Sequence, residues 1–240
     1  QYDVPKGLYG TSNPGIMTIN EMFGSNLPEL FSYTVSPVEG QSGKAAKLQT
    51  VYTYMFLNGM DFNALLGGLV PYVTAGSLFT GIFKTDMNNT LNSTKFGVPF
   101  VGEPATFTGY YKYTPGTTYY NNKNEVVADK TDECSIYAVL YEELLDEENN
   151  NIPLNGDYND PDLYIGSSKR IVMKAVLEDG TAKSDWTKFS IPFKLLEGKS
   201  YDATKKYYLA IVCSSSAEGD YFMGAPGSTL FIDSFTVTPQ

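Results

Sequence analysis

Apolar and polar side chains alternate through residues 188–194, whose sequence is KFSIPFK. Phe189, Ile191 and Phe193 fall on one face of an extended chain, whereas lysine, serine and proline residues occupy the other face. Because successive side chains of a strand point to opposite faces, this period of two predicts a β-strand with one buried and one wet face.

Other segments of the chain also predict β-strands. Residues 206–214 (KYYLAIVCS) and 134–142 (CSIYAVLYE) are apolar at nearly every position, which predicts strands covered on both faces. Further strands are predicted at residues 45–54, 77–83, 105–113, 171–177 and 230–237, and a less regular one near 16–23. Helical spacing is scarce: one short helix is expected within residues 61–70, and residues 149–162 read as a long polar loop.

The composition supports an all-β chain. Its 240 residues include 19 Tyr and 14 Phe, which favour strands, and 22 Gly and 13 Pro, which supply turns. About eight strands with turn signals between them are typical of a two-sheet antiparallel β-sandwich of jelly-roll type with little helix. We expect a single domain over residues 1–240.

The charge and residue inventory excludes several functions. The net charge of −10 would repel a phosphate backbone, so nucleic acid is not expected as a partner. No apolar stretch is long enough for a transmembrane helix. The chain contains no His, which removes catalytic triads and His-ligated metal sites. A carboxylate pair of the glycoside hydrolase kind remains open, but 27 Asp and Glu residues make such a pair unspecific.

The two cysteines, Cys134 and Cys213, lie in separate predicted strands. If those strands pair or face each other, a disulfide is geometrically feasible. The alternative is a pair of buried free thiols that pack as small hydrophobes.

Tyrosines beside amides form the candidate sugar-binding residues. A pyranose needs a flat aromatic surface for its C–H face and nearby polar groups for its hydroxyls. The candidates are Tyr110, Tyr119, Tyr120, Asn121, Tyr158 and Tyr164. Tyr111 and Tyr113, which share a strand face with Phe107, are instead expected in the core.

Several segments resemble one family of Bacteroidetes exported proteins, the putative carbohydrate metabolism domain family. They are AGSLFTG at 75–81, GYYKYTPG at 109–116, Trp186 with Phe189 and IPF at 191–193, SSS at 214–216 with Gly219 and Asp220, and GAPGSTLFID at 224–233. The resemblance implies a jelly roll similar to carbohydrate-binding modules. It also implies export to the extracellular space or outer-membrane surface, often as a lipoprotein, in organisms that harvest glycans. It implies no known reaction.

Asp233 is the candidate metal ligand. It lies in phase with Phe231 and Phe235, so we expect a buried carboxylate that needs a partner. The last-strand Asp of many jelly-roll sugar-binding modules is similar, which implies a structural calcium; backbone amides or an outward bulge are the alternatives. The loop residues Asp157, Asn159, Asp160 and Asp162 also offer oxygen ligands, or form a solvated acidic loop.

Three functions follow from these observations. The sequence favours a non-catalytic exported module that binds polysaccharide or oligosaccharide, with no cofactor required. A structural or adhesive surface protein is the second reading, and a glycoside hydrolase that uses a carboxylate pair is the third.

Overall fold

The structure is a computed structural model that describes residues 8–26, 30–67 and 69–240. Its larger sheet has eight antiparallel strands within these residues. The main path runs in the order β1 (Tyr9–Thr11), β8 (Ser77–Phe83), β16 (Tyr207–Ser214), β12 (Ser135–Glu142), β13 (Ile171–Val176) and β15 (Lys194–Leu195). Off this path, β9 (Thr94–Phe96) pairs with β8 and β10 (Val98–Phe100) pairs with β16.

The second sheet has five antiparallel strands. Their order is β14 (Lys183–Pro192), β11 (Pro104–Thr114), β17 (Thr229–Pro239), β3 (Lys44–Gln49) and β2 (Val35–Glu39). The chain crosses repeatedly between the two sheets, so neighbouring strands are seldom consecutive in sequence. The all-β, two-sheet sandwich that the alternating segments predict is therefore confirmed.

The principal core lies between the sheets. Phe107, Tyr111 and Tyr113 alternate along β11 and point inward from the second sheet, at no more than 2% exposure. Leu209 and Ile211 of β16 meet them from the larger sheet. Each side chain buried in this way contributes about 1.5–3 kcal/mol of transfer free energy.

The outer face of the larger sheet is covered as well. Val139 and Tyr141 of β12 pack there with Leu154 and Ile165, which come from the loop that follows β12. The Tyr141 hydroxyl donates to the carbonyl of Phe96 at 2.6 Å. This second layer explains why β12 and β16 are apolar on both faces.

The region near residue 16 differs from its prediction. It forms the helix α1 (Asn13–Phe23) and not a strand. Ile16, Ile19 and Phe23 recur at helical spacing, and this face packs on Met55 and Val70. The reading as a strand was wrong because apolar residues three and four apart fit a helix period and not an alternation.

Among the described residues, two small two-stranded sheets stand apart from the main sheets. They are β4 (Val51–Tyr52) with β7 (Val73–Thr74) and β5 (Phe56–Leu57) with β6 (Met60–Asp61). The expected short helix is α2 (Phe62–Leu65), whose first turn Asp61 caps by accepting from the Ala64 N–H at 3.0 Å. Short 3₁₀ turns occur at Gly24–Asn26, Thr90–Ser93 and Gly219–Tyr221.

The two cysteines are both free and buried in the principal core. Desolvation raises the pKa of the Cys134 thiol to about 12 and raises that of Cys213 as well. The alternative of two small hydrophobes is therefore the one that the structure shows. No helix in the described part of the chain has the length and apolarity that a membrane crossing needs.

Candidate functional site

An extended segment after β3 sorts its side chains onto two faces. Thr53 and Met55 are buried, and Met55 packs against α1. Tyr52, Tyr54 and Phe56 occupy the alternate positions and face outward, with Phe56 57% exposed. The period of two therefore puts three aromatic rings on one outer surface.

Two further tyrosines complete this surface, which we call the tyrosine row: Tyr52, Tyr54, Tyr72 and Tyr120, with Phe56 at one end. Tyr120 stacks on Tyr52 with ring centroids 5.2 Å apart and planes at 29°. The Tyr54 ring lies at the centre, with its centroid 5.6 Å from Tyr52, 5.7 Å from Tyr72 and 6.0 Å from Phe56. The row is thus continuous and half-exposed.

Hydrogen bonds at the ring tips hold the row in place. The Tyr52 hydroxyl donates to Asn124 Oδ1 at 2.5 Å, and the Tyr72 hydroxyl donates to Asp61 Oδ2 at 2.9 Å. Desolvation raises the pKa of both phenols, so both are neutral donors at ordinary pH. Rings fixed in this way lose little conformational entropy when a ligand binds.

Two grooves adjoin the row. The first groove has a volume of about 640 Å³ and is bordered by Tyr52, Tyr54 and Phe56. Gln49 also lines it, and we call it the Gln49 groove. The second, the asparagine groove, measures about 590 Å³ and lies between Tyr72 and Tyr158. Asn88, Asn89 and Asn122 line it with amides. Both volumes fall in the range of small-ligand sites.

Neither groove brings acids together. Among the described residues that line the two grooves there is no Asp or Glu. Glycoside hydrolysis uses two carboxyl groups that flank the bond to be broken. The arrangement of rings and amides is therefore suited to holding a polyhydroxylated ligand and does not itself supply that pair.

A third concavity, the outer cavity, lies on the outer face of the larger sheet and measures about 260 Å³. Tyr137 and Val212 form part of its floor, and Tyr164 and Phe222 form part of its wall. It shares Phe222 and Met87 with the asparagine groove. The Tyr164 hydroxyl donates to Asp220 inside it.

The sequence candidates divide between these surfaces. Tyr120 belongs to the tyrosine row, Tyr158 lines the asparagine groove beside Tyr221, and Tyr164 lines the outer cavity. Tyr110 lies half-buried on β11, opposite Lys188 and Asp233 in the second sheet. The structure thus does not bring all of these residues to one place.

Tyr119 differs from the expectation of an exposed loop ring. It is 2% exposed, its hydroxyl donates to Glu218, and Lys130 Nζ lies 4.4 Å from its ring centroid. Desolvation and the Glu218 hydrogen bond raise the pKa of Tyr119. A polar loop can bury a ring when partners distant in sequence close over it.

Asn121 stabilises the turn that presents Tyr120. Its Oδ1 accepts from the backbone N–H groups of Lys123 and Glu125 at 2.9 and 3.0 Å, and its Nδ2 donates to Glu125 Oε2. Tyr120 itself exchanges backbone hydrogen bonds with Gly224. The structure therefore shows Asn121 in a turn-forming arrangement.

Asp233 is buried and engaged, but its phase with Phe231 does not place it in the core. Leu230 and Ile232 are the residues of β17 that face the core, so Asp233, which pairs with Tyr110, lies on the other face of the second sheet. Its Oδ2 accepts from the N–H groups of Gln41 and Ser42 at 2.8 and 3.0 Å, at the turn between β2 and β3. A Cβ on Gly40 would lie 2.6 Å from the same oxygen, so this turn needs glycine there. Burial disfavours the charge, but the hydrogen bonds from Ser42, Ser234 and Gln41 prevail and lower the pKa.

The groups around Asp233 do not resemble a calcium site. N–H donors converge on Oδ2, and they suit a carboxylate cap and not a cation. In the acidic loop, Asp157 accepts from Asn89 and Asn159, and Asp160 accepts from the N–H groups of Asp162 and Leu163. These are turn hydrogen bonds, and calcium stays a prediction.

Sequence reasoning missed Tyr52, Tyr54 and Phe56, although their signal was present. They recur at every second position of YTYMF at 52–56. The prediction of one strand over residues 45–54 includes Tyr52 and Tyr54 but does not identify the outer face that their rings share with Phe56. Tyr72 has no such local signal, since only the pairing of β4 with β7 brings it there.

Comparison with known proteins identifies the class. The profile of the putative carbohydrate metabolism domain family matches residues 1–238. A solved structure from Bacteroides thetaiotaomicron VPI-5482, described as a putative glycoside hydrolase, is 33% identical with a TM-score of 0.77, over 97% of this chain and 63% of that one. One from Bacteroides vulgatus ATCC 8482, described in the same words, is 29% identical with a TM-score of 0.73, over 100% and 90%. No curated protein matches the chain.

The sandwich fold and these matches define a carbohydrate-related β-sandwich domain. The chain belongs to the putative carbohydrate metabolism domain family. It spans somewhat less than two thirds of the length of the first of the two solved structures.

Proposed function

We propose that the protein is a non-catalytic glycan-binding module whose binding surface is the tyrosine row. The observation that carries the proposal is the continuous set of outward rings at residues 52, 54, 72 and 120, flanked by two grooves. Aromatic faces contact the C–H faces of sugar rings, and asparagine amides in the adjoining groove can bond their hydroxyls.

The expected ligand is a neutral polysaccharide or oligosaccharide that lies along the row. The ring centroids are spaced by 5.2–6.0 Å, so successive sugar units can contact successive rings. Because the surface is open and shallow, we expect dissociation constants on the order of micromolar to millimolar. Export to the bacterial surface, which the family resemblance implies, is part of the proposal.

The test is a titration of neutral plant and host polysaccharides against matched variants. Tyr54→Ala removes the central ring and should weaken binding at least about tenfold, which corresponds to ~1.4 kcal/mol. Tyr54→Phe keeps the ring and should bind nearly as the parent does. Tyr110→Ala, on the second sheet, is the control and should not change affinity.

Two outcomes would count against the tyrosine row. If Tyr54→Ala binds like the parent while its melting temperature is unchanged, the ligand lies elsewhere. If Tyr110→Ala instead loses binding, the site is on β11.

Glycoside hydrolysis is the second candidate, because two structurally similar proteins are described as putative glycoside hydrolases. The group best suited to a general acid is Asp220, whose pKa desolvation raises despite the Tyr164 hydrogen bond. Glu218 is close enough to act on it electrostatically, but its carboxylate is bound to Lys130 and Tyr119.

A reducing-sugar assay separates the two functions. The binding proposal expects no release of reducing ends from any polysaccharide that the protein binds. Sustained release that Asp220→Asn abolishes would establish the hydrolase instead.

A further inference from the structure

The outer cavity is built from covering elements and not from the tyrosine row. Helix α1 and the turn at Thr90–Ser93 form part of its wall, and the segment around Gly219–Tyr221 closes another side. Its floor is the outer face of β12 and β16, where Tyr137 and Val212 point away from the principal core. A volume of about 260 Å³ suits a small molecule and not a chain of sugars.

Several aromatic side chains line the cavity. Phe83, Phe96, Tyr137, Tyr164 and Phe222 all line it, together with aliphatic residues from α1. Ring faces carry a partial negative charge, so a cavity rich in them attracts a cation as well as an apolar body.

One charged side chain reaches this space. Among the described lining residues, Asp220 alone carries a charge, and no Lys or Arg is present to neutralise it. Its carboxylate accepts from the Tyr164 hydroxyl. Glu218 is within electrostatic range of Asp220, and its own carboxylate is paired with Lys130.

The surroundings of Asp220 leave its charge only partly compensated. Asp220 is itself exposed, so its carboxylate is open to an incoming ligand. Among the described residues, the Tyr164 hydroxyl is its side-chain donor, and no cationic side chain lines the cavity beside it.

From the aromatic walls and the single carboxylate, we propose that the outer cavity binds a small organic ammonium ion with an apolar body. The ammonium group pairs with Asp220, and the body contacts Phe83, Phe96 and Phe222. This site uses none of the rings of the tyrosine row, although it shares Met87 and Phe222 with the asparagine groove.

Other ligand classes fit the cavity less well. An anion would meet Asp220 with no cationic partner in the described lining. A sugar needs partners for each hydroxyl, but several lining hydroxyls are already engaged: Thr18 donates to the Pro14 carbonyl, and Ser216 donates to Asp132.

The experiment compares three probes of matched shape by calorimetric titration at neutral pH: 2-phenylethylamine, 2-phenylethanol and 3-phenylpropanoate. The amine should bind at least tenfold more tightly than the alcohol, and the carboxylate should bind most weakly. Asp220→Asn should reduce the preference for the amine over the alcohol to less than about threefold, because it keeps the shape and removes the charge.

Two control variants test whether the preference for the amine depends on Asp220 specifically. Asp185→Asn neutralises an exposed carboxylate on β14 and should leave the preference unchanged, as should Tyr54→Ala in the tyrosine row. Equal affinity for amine and alcohol in the parent, no binding of the amine, or a preference that survives in Asp220→Asn would each overturn the proposal. Loss of glycan binding in Tyr54→Ala with the amine preference intact would show that the two sites are separate.

Discussion

Single carboxylates and thiols take their roles here from the groups that surround them. Asp233 and Asp132 are both buried, and each ties loops to a strand end through several donors. Asp220, by contrast, faces a cavity and has one hydrogen-bond donor from a side chain. The same residue type is thus structural in two places and available to a ligand in the third.

Asp233→Ala should lower the free energy of unfolding by about 1–3 kcal/mol, since the amides of Gln41 and Ser42 lose their acceptor. Chemical denaturation measures the change, with the exposed Asp185→Ala as the control. An Asp233→Ala variant as stable as the parent would contradict this role. A parent protein that loses stability in chelator would indicate calcium at this carboxylate.

The Asp233 carboxylate should also make the stability of the fold depend on pH. The pKa of Asp233 is lowered in the folded state, so its ionised form stabilises the fold at pH values above the ordinary Asp pKa of about 3.9. That contribution is lost as pH falls through the lower folded-state pKa. The stability difference between the parent and Asp233→Asn should therefore shrink in acid, and a difference that grew toward low pH would contradict the sign.

The thiols of Cys134 and Cys213 should be inert in the native protein. Both are buried and their pKa values are raised, so little thiolate is present to react. A colorimetric thiol reagent should titrate neither thiol under native conditions and both in denaturant. Fewer than two thiols in denaturant without reductant would mean that the cysteines are paired.

At the scale of elements, the segment of residues 51–56 separates a packing face from a binding face. Met55 is 1% exposed, and its neighbour Phe56 is 57% exposed. Met55→Ala should cost about 2–5 kcal/mol, because it leaves a cavity beneath α1. Phe56→Ala should change stability by no more than about 0.5 kcal/mol.

Thermal and chemical unfolding of Met55→Ala and Phe56→Ala test whether Met55 faces inward and Phe56 faces outward. Comparable losses in both would mean that Phe56 packs inward and that the tyrosine row ends at Tyr54. The glycan titration supplies a second readout, since Phe56→Ala should weaken binding although it leaves stability nearly unchanged.

For the whole molecule, the net charge of −10 sets a preference among glycans. At low ionic strength, about 0.01 M, the Debye length is ~30 Å, so an acidic polysaccharide should bind more weakly than a neutral one of similar linkage. The difference in affinity between the acidic and the neutral polysaccharide should narrow at about 1 M salt, where the Debye length is ~3 Å. Tighter binding of the acidic polymer at low salt would contradict a charge-repelled surface.

The sequence by itself determined the fold and much of the core. Alternation in β14, β16 and β11 depends only on the geometry of an extended backbone, so it can be read locally. It predicted eight of the main strands, and it placed Tyr111 and Tyr113 inside. Asp233 is buried as expected, but by the turn between β2 and β3 and not by the core. It failed at α1, where three apolar residues at helical spacing were read with the wrong period.

The tertiary structure alone decided where the binding surfaces lie. Tyr52 and Tyr120 stack although 68 positions separate them, and Tyr119 is buried by Glu218, 99 positions away. The outer cavity likewise needs α1, β12 and the Gly219–Tyr221 turn at once. A local sequence pattern predicts which face of a strand or helix a side chain lies on. A binding site also depends on which distant elements pack around that side chain, and the packing of the whole chain determines this.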